Sequence, residues 1–431
     1  MLRVWQTIAA AVATVAAADD TWTSVLALPN ITSIETTLTT GTQRYIEVRH
    51  GSDSNLTTIE FSSNLTLDGV VLPKSLQKFA LNRVNLSAFP YGFQWPSTLK
   101  SIDLSRNALT NIPQDIKWPA GLASLSLSDN KLTECVSDLP ESISTLNYGG
   151  NRLTSIQACQ WPKALETLTV SGNALQRMSL SQTWPDGLKE LHMDNTELKY
   201  VPSTFPEGLR QLHLNKNKIK SFPKKLPSDL QSLSLSYNKI KVLPAHLNRF
   251  PKLGVLELAN NHLKSLPSDL VLPKDFHILR LSNNNLTSLP PKCNSWLGQI
   301  NGSIMLDGNQ LSALPKKVTF PPETNVARNQ LTVLENLSLP KHFNVNENPL
   351  ERVSRVTVMD GSVWQTSPAV LKSFVLDEKA FKSLDSLMRS YSFFKLGWTV
   401  DAATADPACA AESGVIKQVK DISVCVVPDG S

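Results

Sequence analysis

The chain has 431 residues, of which 41% are hydrophobic and 18% are charged. This composition excludes both a disordered protein and a membrane-embedded bundle. The chain has 42 basic and 37 acidic residues, which give a formal net charge of +5. This small excess of positive charge does not favour a nucleic acid partner. The 27 prolines outnumber the 18 glycines, which indicates a rigid element that is repeated many times.

The N-terminus has the three parts of a secretory signal peptide. Arg3 provides a basic start, an apolar stretch runs from Val4 to about Ala18, and three alanines precede Asp19. A buried N-terminal helix is the alternative. The stretch is too short to span a bilayer, which needs about 20 apolar residues. We therefore predict a signal peptide at residues 1–18 and a secreted, extracellular protein without a membrane span.

One pattern, LxxLxLxxNxL, recurs about every 22 residues between residues 56 and 353. We count about fourteen turns, and the N position is asparagine in all but two of them, where Val84 and Thr196 replace it. The apolar positions before the asparagine fit a short strand whose leucines point inward. Stacked turns bury such leucines in a continuous core. The pattern therefore predicts a solenoid with one strand in each turn.

These repeats resemble those of the leucine-rich repeat superfamily. The resemblance implies an α/β-type leucine-rich repeat solenoid, a right-handed horseshoe with a parallel concave β-sheet. Two prolines stand between the strands in most turns, which excludes a regular helix there. We therefore expect irregular, 3₁₀ or polyproline segments on the convex side. The repeat asparagines should bond buried backbone groups rather than a ligand.

Both ends of the repeats need caps, because an open end would expose leucines. Residues 19–55 are the predicted N-terminal cap, and residues 354–431 are the predicted C-terminal cap domain. Within the latter, residues 376–390 fit an amphipathic helix with Asp377 as a candidate N-cap. Residues 414–427 fit a β-hairpin, so we expect a small α+β cap.

Three further features resemble the extracellular regions of oomycete receptor-like kinases of the tyrosine-kinase-like class, and related secreted repeat proteins. They are the WP and FP dipeptides between strands, an N-terminal cap without cysteine, and the segments ACAAESG and SVCVVPDG near the C-terminus. The sequence contains no Gly-rich nucleotide loop, HRD motif or DFG motif. We therefore expect neither a kinase domain nor a membrane helix.

The cysteines of an exported protein are expected to pair. Cys409 and Cys425 flank the predicted C-terminal hairpin, and Cys135 and Cys159 lie on adjacent turns. These are the two candidate disulfides. Cys293 is left over, and we expect it to be a buried free thiol.

Seven N-x-S/T sequons occur, a number that chance explains for this composition. Asn64 is one of them and also occupies an N position of the repeat, where a glycan would not fit. Asn85 and Asn285 directly follow an N position and should be exposed. They are therefore the better candidates for glycosylation.

The repeat register also predicts which side chains face the concave side. Most of these side chains are small and polar. The candidate ligand surface consists of larger and charged ones among them: His192, His213, Glu190, Asp194, Glu257 and Arg280. His192 and His213 should lie one strand apart, about 4.8 Å. A pH-sensitive spot, a weak metal site and two solvated histidines all fit this pair. For the face as a whole, the alternative is a merely solvated sheet.

Four successive turns carry a lysine three residues after the N position: Lys199, Lys220, Lys241 and Lys264. Like charges on adjacent turns oppose stability. Residues 186–286 contain 15 Lys and Arg against 9 Asp and Glu, so the local charge is positive. We interpret this lysine column as a candidate anion-binding edge. The alternative is that the side chains simply extend into water.

No HExxH, GxSxG or metal-spaced Cys/His motif occurs in the sequence. We therefore predict a non-catalytic protein without a cofactor, and no motif indicates a metal site. We hypothesise a secreted leucine-rich repeat recognition protein that binds an extracellular protein or polysaccharide, with an anionic ligand as one option. A structural or cell-wall-associated repeat protein is the alternative, and a hydrolase with a site assembled across turns is the third hypothesis. We expect a monomer that binds no nucleic acid.

Overall fold

The computed structural model describes residues 18–38, 43–61, 65–175, 182–359, 361–390 and 396–429. The predicted signal peptide, apart from Ala18, and Asn64 lie outside the described residues. The chain divides into two compact units. The first unit comprises residues 1–198 and 202–209, and the second comprises residues 199–201 and 210–431.

A helix and three antiparallel strands begin the first unit: α1 Ala18–Leu26, β1 Ser33–Leu38, β2 Arg44–His50 and β3 Asn55–Phe61. β2 pairs antiparallel with both β1 and β3, and β1 pairs in parallel with β4, Lys78–Ala80. Trp22 of α1 stacks on Phe79 of β4, with 6.5 Å between the ring centroids. This small cap therefore covers the first leucine layer of the repeats.

The strand at residues 55–61 differs from our prediction, which counted it as the first repeat turn. The structure makes it the outer antiparallel strand of the cap. Ile59 and Phe61 are buried there, as they would be in a repeat strand. Alternation of apolar residues fixes which side chains are buried, but it does not distinguish parallel from antiparallel pairing.

Six parallel strands of three residues form the repeat sheet of the first unit: β4, β5 Ser101–Asp103, β6 Ser124–Ser126, β7 Thr145–Asn147, β8 Thr167–Thr169 and β9 Glu190–His192. The middle residue of each strand and the residue two positions later are apolar and buried, as at Leu125 and Leu127. Each turn thus contributes a pair of inward side chains to one continuous core.

The second unit has eight further parallel strands: β10 Gln211–His213, β11 Ser232–Ser234, β12 Val255–Glu257, β13 Ile278–Arg280, β14 Ser303–Met305, β15 Glu323–Asn325, β17 His342–Asn344 and β19 Val363–Gln365. Their middle residues are also buried, although Thr324 replaces the apolar residue in β15. The last strand lies within the predicted C-terminal cap. There Trp364 takes the place of the middle leucine and is buried. The parallel ladder therefore extends one strand beyond the recognisable repeats.

Between the strands the chain forms irregular segments, in keeping with the prolines. In the described repeats the helical pieces are a 3₁₀ turn at Leu247–Arg249 and the short helix α2, Asn294–Leu297. Aromatic side chains that precede the second proline pack between turns. Trp95 and Trp118, for example, stack with 6.0 Å between ring centroids. These tryptophans are therefore packing residues of the convex side.

A second sheet occupies the C-terminal part of the second unit. Its strands, in spatial order, are β16 Val333–Ser338, β18 Arg352–Thr357, β21 Ser373–Asp377, β24 Ile422–Val427 and β23 Val415–Val419. β23 and β24 form the predicted antiparallel hairpin. A pair of strands, β20 Ala369–Leu371 and β22 Trp398–Val400, and two helices, α3 Glu378–Ser390 and α4 Ala402–Ala411, complete the cap. Over the described ranges, no helix has the length and apolar character that crossing a bilayer would require.

The repeat asparagines bond backbone groups of neighbouring turns. The Nδ2 atom of Asn130 donates to the carbonyls of Leu104 (3.0 Å) and Leu127 (3.1 Å). Its Oδ1 atom accepts from the N–H of Leu109 at 3.0 Å. Asn130 is buried, so these bonds satisfy backbone groups that water does not reach. The same arrangement recurs at Asn238.

Candidate functional site

The lysine column lies in the second unit. Lys220, Lys241 and Lys264 each follow the middle leucine of a strand by eight residues, and the strands concerned, β10, β11 and β12, are paired in register. Lys199 belongs to the same unit and occupies the same repeat position one turn earlier. All four side chains belong to exposed residues.

Backbone hydrogen bonds hold the turns together beside the column. The carbonyl of Ile219, which directly precedes Lys220, accepts from the N–H of Lys239 at 2.8 Å. The carbonyl of Ile240, which directly precedes Lys241, accepts from the N–H of His262 at 2.9 Å. Lys220, Lys241 and Lys264 therefore project from turns that are in direct backbone contact.

The charges of the column are not compensated. Across the described part of the chain, none of its four lysines forms an ion pair. Other lysines of the second unit do: Lys252 Nζ lies 2.5 Å from an Asp229 oxygen, and Lys316 bonds Glu335. Since neighbouring ammonium groups repel each other, this arrangement favours an anion that bridges several turns.

Two residues of the predicted concave ligand surface neutralise each other. Arg280 Nη1 lies 2.6 Å from Glu257 Oε1 on the adjacent strand β12. The other carboxylate oxygen of Glu257 accepts a hydrogen bond from Ser234 at 2.9 Å. This network fixes both charged side chains on the sheet, so they offer a ligand less charge than the sequence suggested.

The predicted histidine pair is divided between the units. His192 ends strand β9 of the first unit, and its Nε2 atom lies 2.8 Å from Glu190 Oε1 on the same strand. Asp194 also belongs to the first unit, whereas His213 ends strand β10 of the second. The side-by-side placement of the two histidines stays a prediction.

A second charged network on the concave side was missed by the sequence reasoning. Asp307 accepts from Ser282 at 2.6 Å and forms an ion pair with Arg328 at 2.7 Å. Its members stand one or two residues before an N position, and none of them is among the six residues chosen for the candidate ligand surface, although Asp194 of that set occupies the same repeat position as Asp307. The alternation of charge between adjacent turns was the signal that could have identified it.

The cysteines pair as the sequence analysis proposed. Cys135 and Cys159 are bonded, with a Cα–Cα distance of 5.6 Å, and so are Cys409 and Cys425, at 5.5 Å. Cys293 is a buried free thiol, and burial raises its pKa. A buried thiol with a raised pKa is a poor nucleophile, so Cys293 acts as a packing residue.

Both favoured sequon asparagines, Asn85 and Asn285, are exposed. Asn85 has a left-handed backbone, with φ of 57°. Their exposure leaves room for a glycan, and glycosylation at these positions stays a prediction.

Comparisons with known proteins agree with this architecture. Residues 207–263 match the family model described as Leucine rich repeat. A leucine-rich repeat protein of Leptospira interrogans is similar in structure, with a TM-score of 0.54 and 24% identity over 78% of this chain and 81% of that chain. The chain is folded as a leucine-rich repeat solenoid.

A second solved structure with the same fold comes from an octameric complex of latrophilin 3, Unc5D and the leucine-rich repeats of FLRT2. The TM-score is 0.51, with 21% identity over 58% of this chain and 81% of that chain. No curated protein is significantly similar to this chain in sequence. The likeness to the oomycete receptor subgroup stays a prediction.

Proposed function

We propose that the chain is a secreted, non-catalytic recognition protein that binds an anionic extracellular partner through the lysine column of its second unit. Stacked repeats provide extended binding surfaces, and binding is the usual role of this fold. The two disulfides agree with an oxidising compartment. The FLRT2 repeats occur in a multi-protein complex, which supports a protein-binding role for a similar solenoid.

The observation that carries this proposal is the uncompensated lysine column. The fold itself does not require lysine at this repeat position, because three turns of the first unit have threonine there, at Thr110, Thr133 and Thr154. Like charges on adjacent turns reduce stability, so threonine would suit a solvated edge better than lysine. An anionic ligand explains the four lysines, because its negative charge attracts each ammonium group and offsets their mutual repulsion.

The proposal is tested with beads that carry an acidic polysaccharide, such as polygalacturonate. The mature protein is compared with a variant in which the four column lysines are changed to serine: Lys199→Ser, Lys220→Ser, Lys241→Ser and Lys264→Ser. A matched control changes four exposed lysines elsewhere in the second unit: Lys252→Ser, Lys274→Ser, Lys292→Ser and Lys341→Ser.

The wild-type protein and the control should elute at similar salt concentrations, and the column variant should elute earlier. Screening over about 8–10 Å at physiological ionic strength is the reason that salt releases the ligand. Co-elution of all three proteins would show that the column is only a solvated edge. Equal loss in both variants would show that net charge, not the column, governs retention.

A wall-associated structural protein is the second candidate, because the same column would also hold the protein on an acidic matrix. The two roles differ in where the protein is found. A recognition protein stays free in the culture medium, whereas a wall protein is released only by salt or detergent. Fractionation of a producing culture therefore separates them.

A further inference from the structure

The first unit contains an open cleft of about 570 Å³ that none of the predictions anticipated. This volume is within the roughly 300–1,000 Å³ that is typical of small-molecule sites. The cleft spans the segments that follow strands β5, β6 and β7, so three successive turns line it. It lies off the concave sheet, and all of its lining residues belong to the first unit.

The cleft forms where two turns depart from the repeat. Most turns have proline six residues after the N position, as at Pro113, but the next two turns have Val136 and Gln157 instead. Most turns also have a large apolar side chain one residue earlier, and one of these two turns has Cys135. A smaller side chain and a chain path without proline leave the depression.

One disulfide bond and one buried hydrogen bond hold the shape of the cleft. The disulfide between Cys135 and Cys159 joins two of its three turns. The hydroxyl of Tyr148, a fully buried side chain, accepts a hydrogen bond from the N–H of Val136 at 3.0 Å. These two contacts join the turns around the depression, so its shape does not depend on surface side chains alone.

The polar groups that line the cleft are almost all neutral. Three threonine hydroxyls, two serine hydroxyls and two amides line it, from Thr110, Thr133, Thr154, Ser137, Ser155, Asn111 and Gln114. Glu134 is the single charged lining residue, and no lysine, arginine or aromatic residue contributes. Hydroxyls and amides both donate and accept, as the hydroxyls of a sugar do. A carboxylate disfavours an anion, and the lining has no Trp, Tyr or Arg, the residues that most often anchor a protein partner; its larger apolar side chains are Ile112 and Val136.

We infer that this cleft binds a short neutral oligosaccharide. The threonine hydroxyls of three adjacent turns present a repeating row to the successive hydroxyls of a sugar chain, and Glu134 accepts from one of them. This site differs from the lysine column in ligand charge, in unit and in residues. Its failure therefore leaves the proposed function untouched, and the reverse holds as well.

The test follows the threonine methyl groups of the mature protein by NMR during titration with laminaritetraose and cellotetraose. The methyl signals of Thr110, Thr133 and Thr154 should shift in a saturable way. Thr287 occupies the same repeat position in a turn that keeps its proline, Pro290, so its signal should not move. Tetragalacturonate and an uncharged tetrapeptide, added at the same concentrations, should leave all four signals unchanged.

A matched pair of variants completes the test. Thr133→Val removes one hydroxyl from the middle of the cleft, and the affinity should fall about tenfold, as expected for the loss of one hydrogen bond. Thr287→Val removes an equivalent exposed hydroxyl outside the cleft and should bind as the wild type does. The inference is overturned if neither neutral oligosaccharide shifts the three methyl signals, or if both variants lose affinity equally. It is also overturned if the tetrapeptide or tetragalacturonate shifts these signals.

Discussion

At the residue scale, the alternation along β11 illustrates what the repeat pattern fixes. Leu233 points into the core and is fully buried, as predicted. The repeat register places Ser234 on the concave face with the other small polar side chains, but it is only 3% exposed. The cause is Glu257 on the adjacent strand, whose carboxylate accepts a hydrogen bond from Ser234 and covers it. The pattern gives the direction of a side chain, whereas its exposure depends on the neighbouring turn.

The difference between these two positions is measurable. Leu233→Ala should lower the free energy of unfolding by about 2–5 kcal/mol, because it leaves a cavity in the core. Ser234→Ala removes one hydrogen bond and should cost about 0.5–1.5 kcal/mol. Urea unfolding of both variants provides the comparison. Equal losses would mean that the strand register is wrong.

At the element scale, the sequence predicted the repeat strands well and the first strand poorly. Most repeat strands are followed by an asparagine at a fixed spacing, but Asn64 follows the antiparallel strand β3 at the same spacing, so this combination does not by itself identify a parallel turn. The cap strand β3 shares the apolar alternation, and its pairing with β2 is set by contacts that no local pattern records. The lysine column was predictable because it depends on the register alone. The cleft was not predictable, because it forms where two turns lack the proline of the repeat pattern and one of them also lacks the large apolar side chain.

Helix α3 of the C-terminal cap supports a prediction on capping. The Oδ1 atom of Asp377 accepts from the N–H of Ala380 at 2.7 Å, as the sequence analysis proposed. Asp377→Ala should therefore destabilise the protein by about 1 kcal/mol. Asp385→Ala on the same helix breaks an exposed ion pair with Arg389 and should cost about 0.3–0.5 kcal/mol. Thermal unfolding distinguishes the two, and a larger loss for Asp385→Ala would contradict the capping role.

An ion pair between adjacent turns of the second unit gives a pH-dependent contribution to stability. The hydrogen bond from Lys316 lowers the pKa of Glu335 from its usual value of 4.5. A carboxyl group whose pKa is lower in the folded state stabilises the protein at pH values above its pKa in the unfolded state. This stabilisation is lost as the pH falls through its pKa in the folded state. The pair is partly exposed, so the stabilisation at neutral pH is under about 1 kcal/mol.

Glu335→Gln should therefore lower stability at pH 7, and the difference from the wild type should disappear in acid. Urea unfolding from pH 7 to pH 2 follows this change. Glu323→Gln is the control, because Glu323 is exposed and forms no ion pair with any described residue. A constant difference between Glu335→Gln and the wild type across the pH range would rule out the proposed linkage.

At the scale of the whole molecule, secretion stays a prediction, because residues 1–17 lie outside the described part of the chain. The basic start, apolar stretch and alanine triplet of residues 1–18 are expected to direct export and cleavage near Ala18. N-terminal sequencing of the protein from culture medium should give a start at about Asp19. A protein that begins at Met1, or that is found only inside the cell, would contradict export.

The same repeat position has a different chemistry in the two units. The first unit has threonine there in three turns and a neutral cleft, and the second has lysine in successive turns. The core requires neither residue type, because the position is exposed in both units. We propose that the lysine column of the second unit and the cleft of the first bind ligands of different charge.

Recognition through the lysine column is tested most directly by the salt dependence of binding to soluble polygalacturonate. Equilibrium affinity is measured at a series of NaCl concentrations for the wild type, the four-lysine column variant and the matched lysine control. The wild type and the control should weaken steeply with salt, whereas the column variant should bind more weakly at low salt and show a flatter dependence. Identical affinity and salt dependence for the column variant and the wild type would contradict the role of the column.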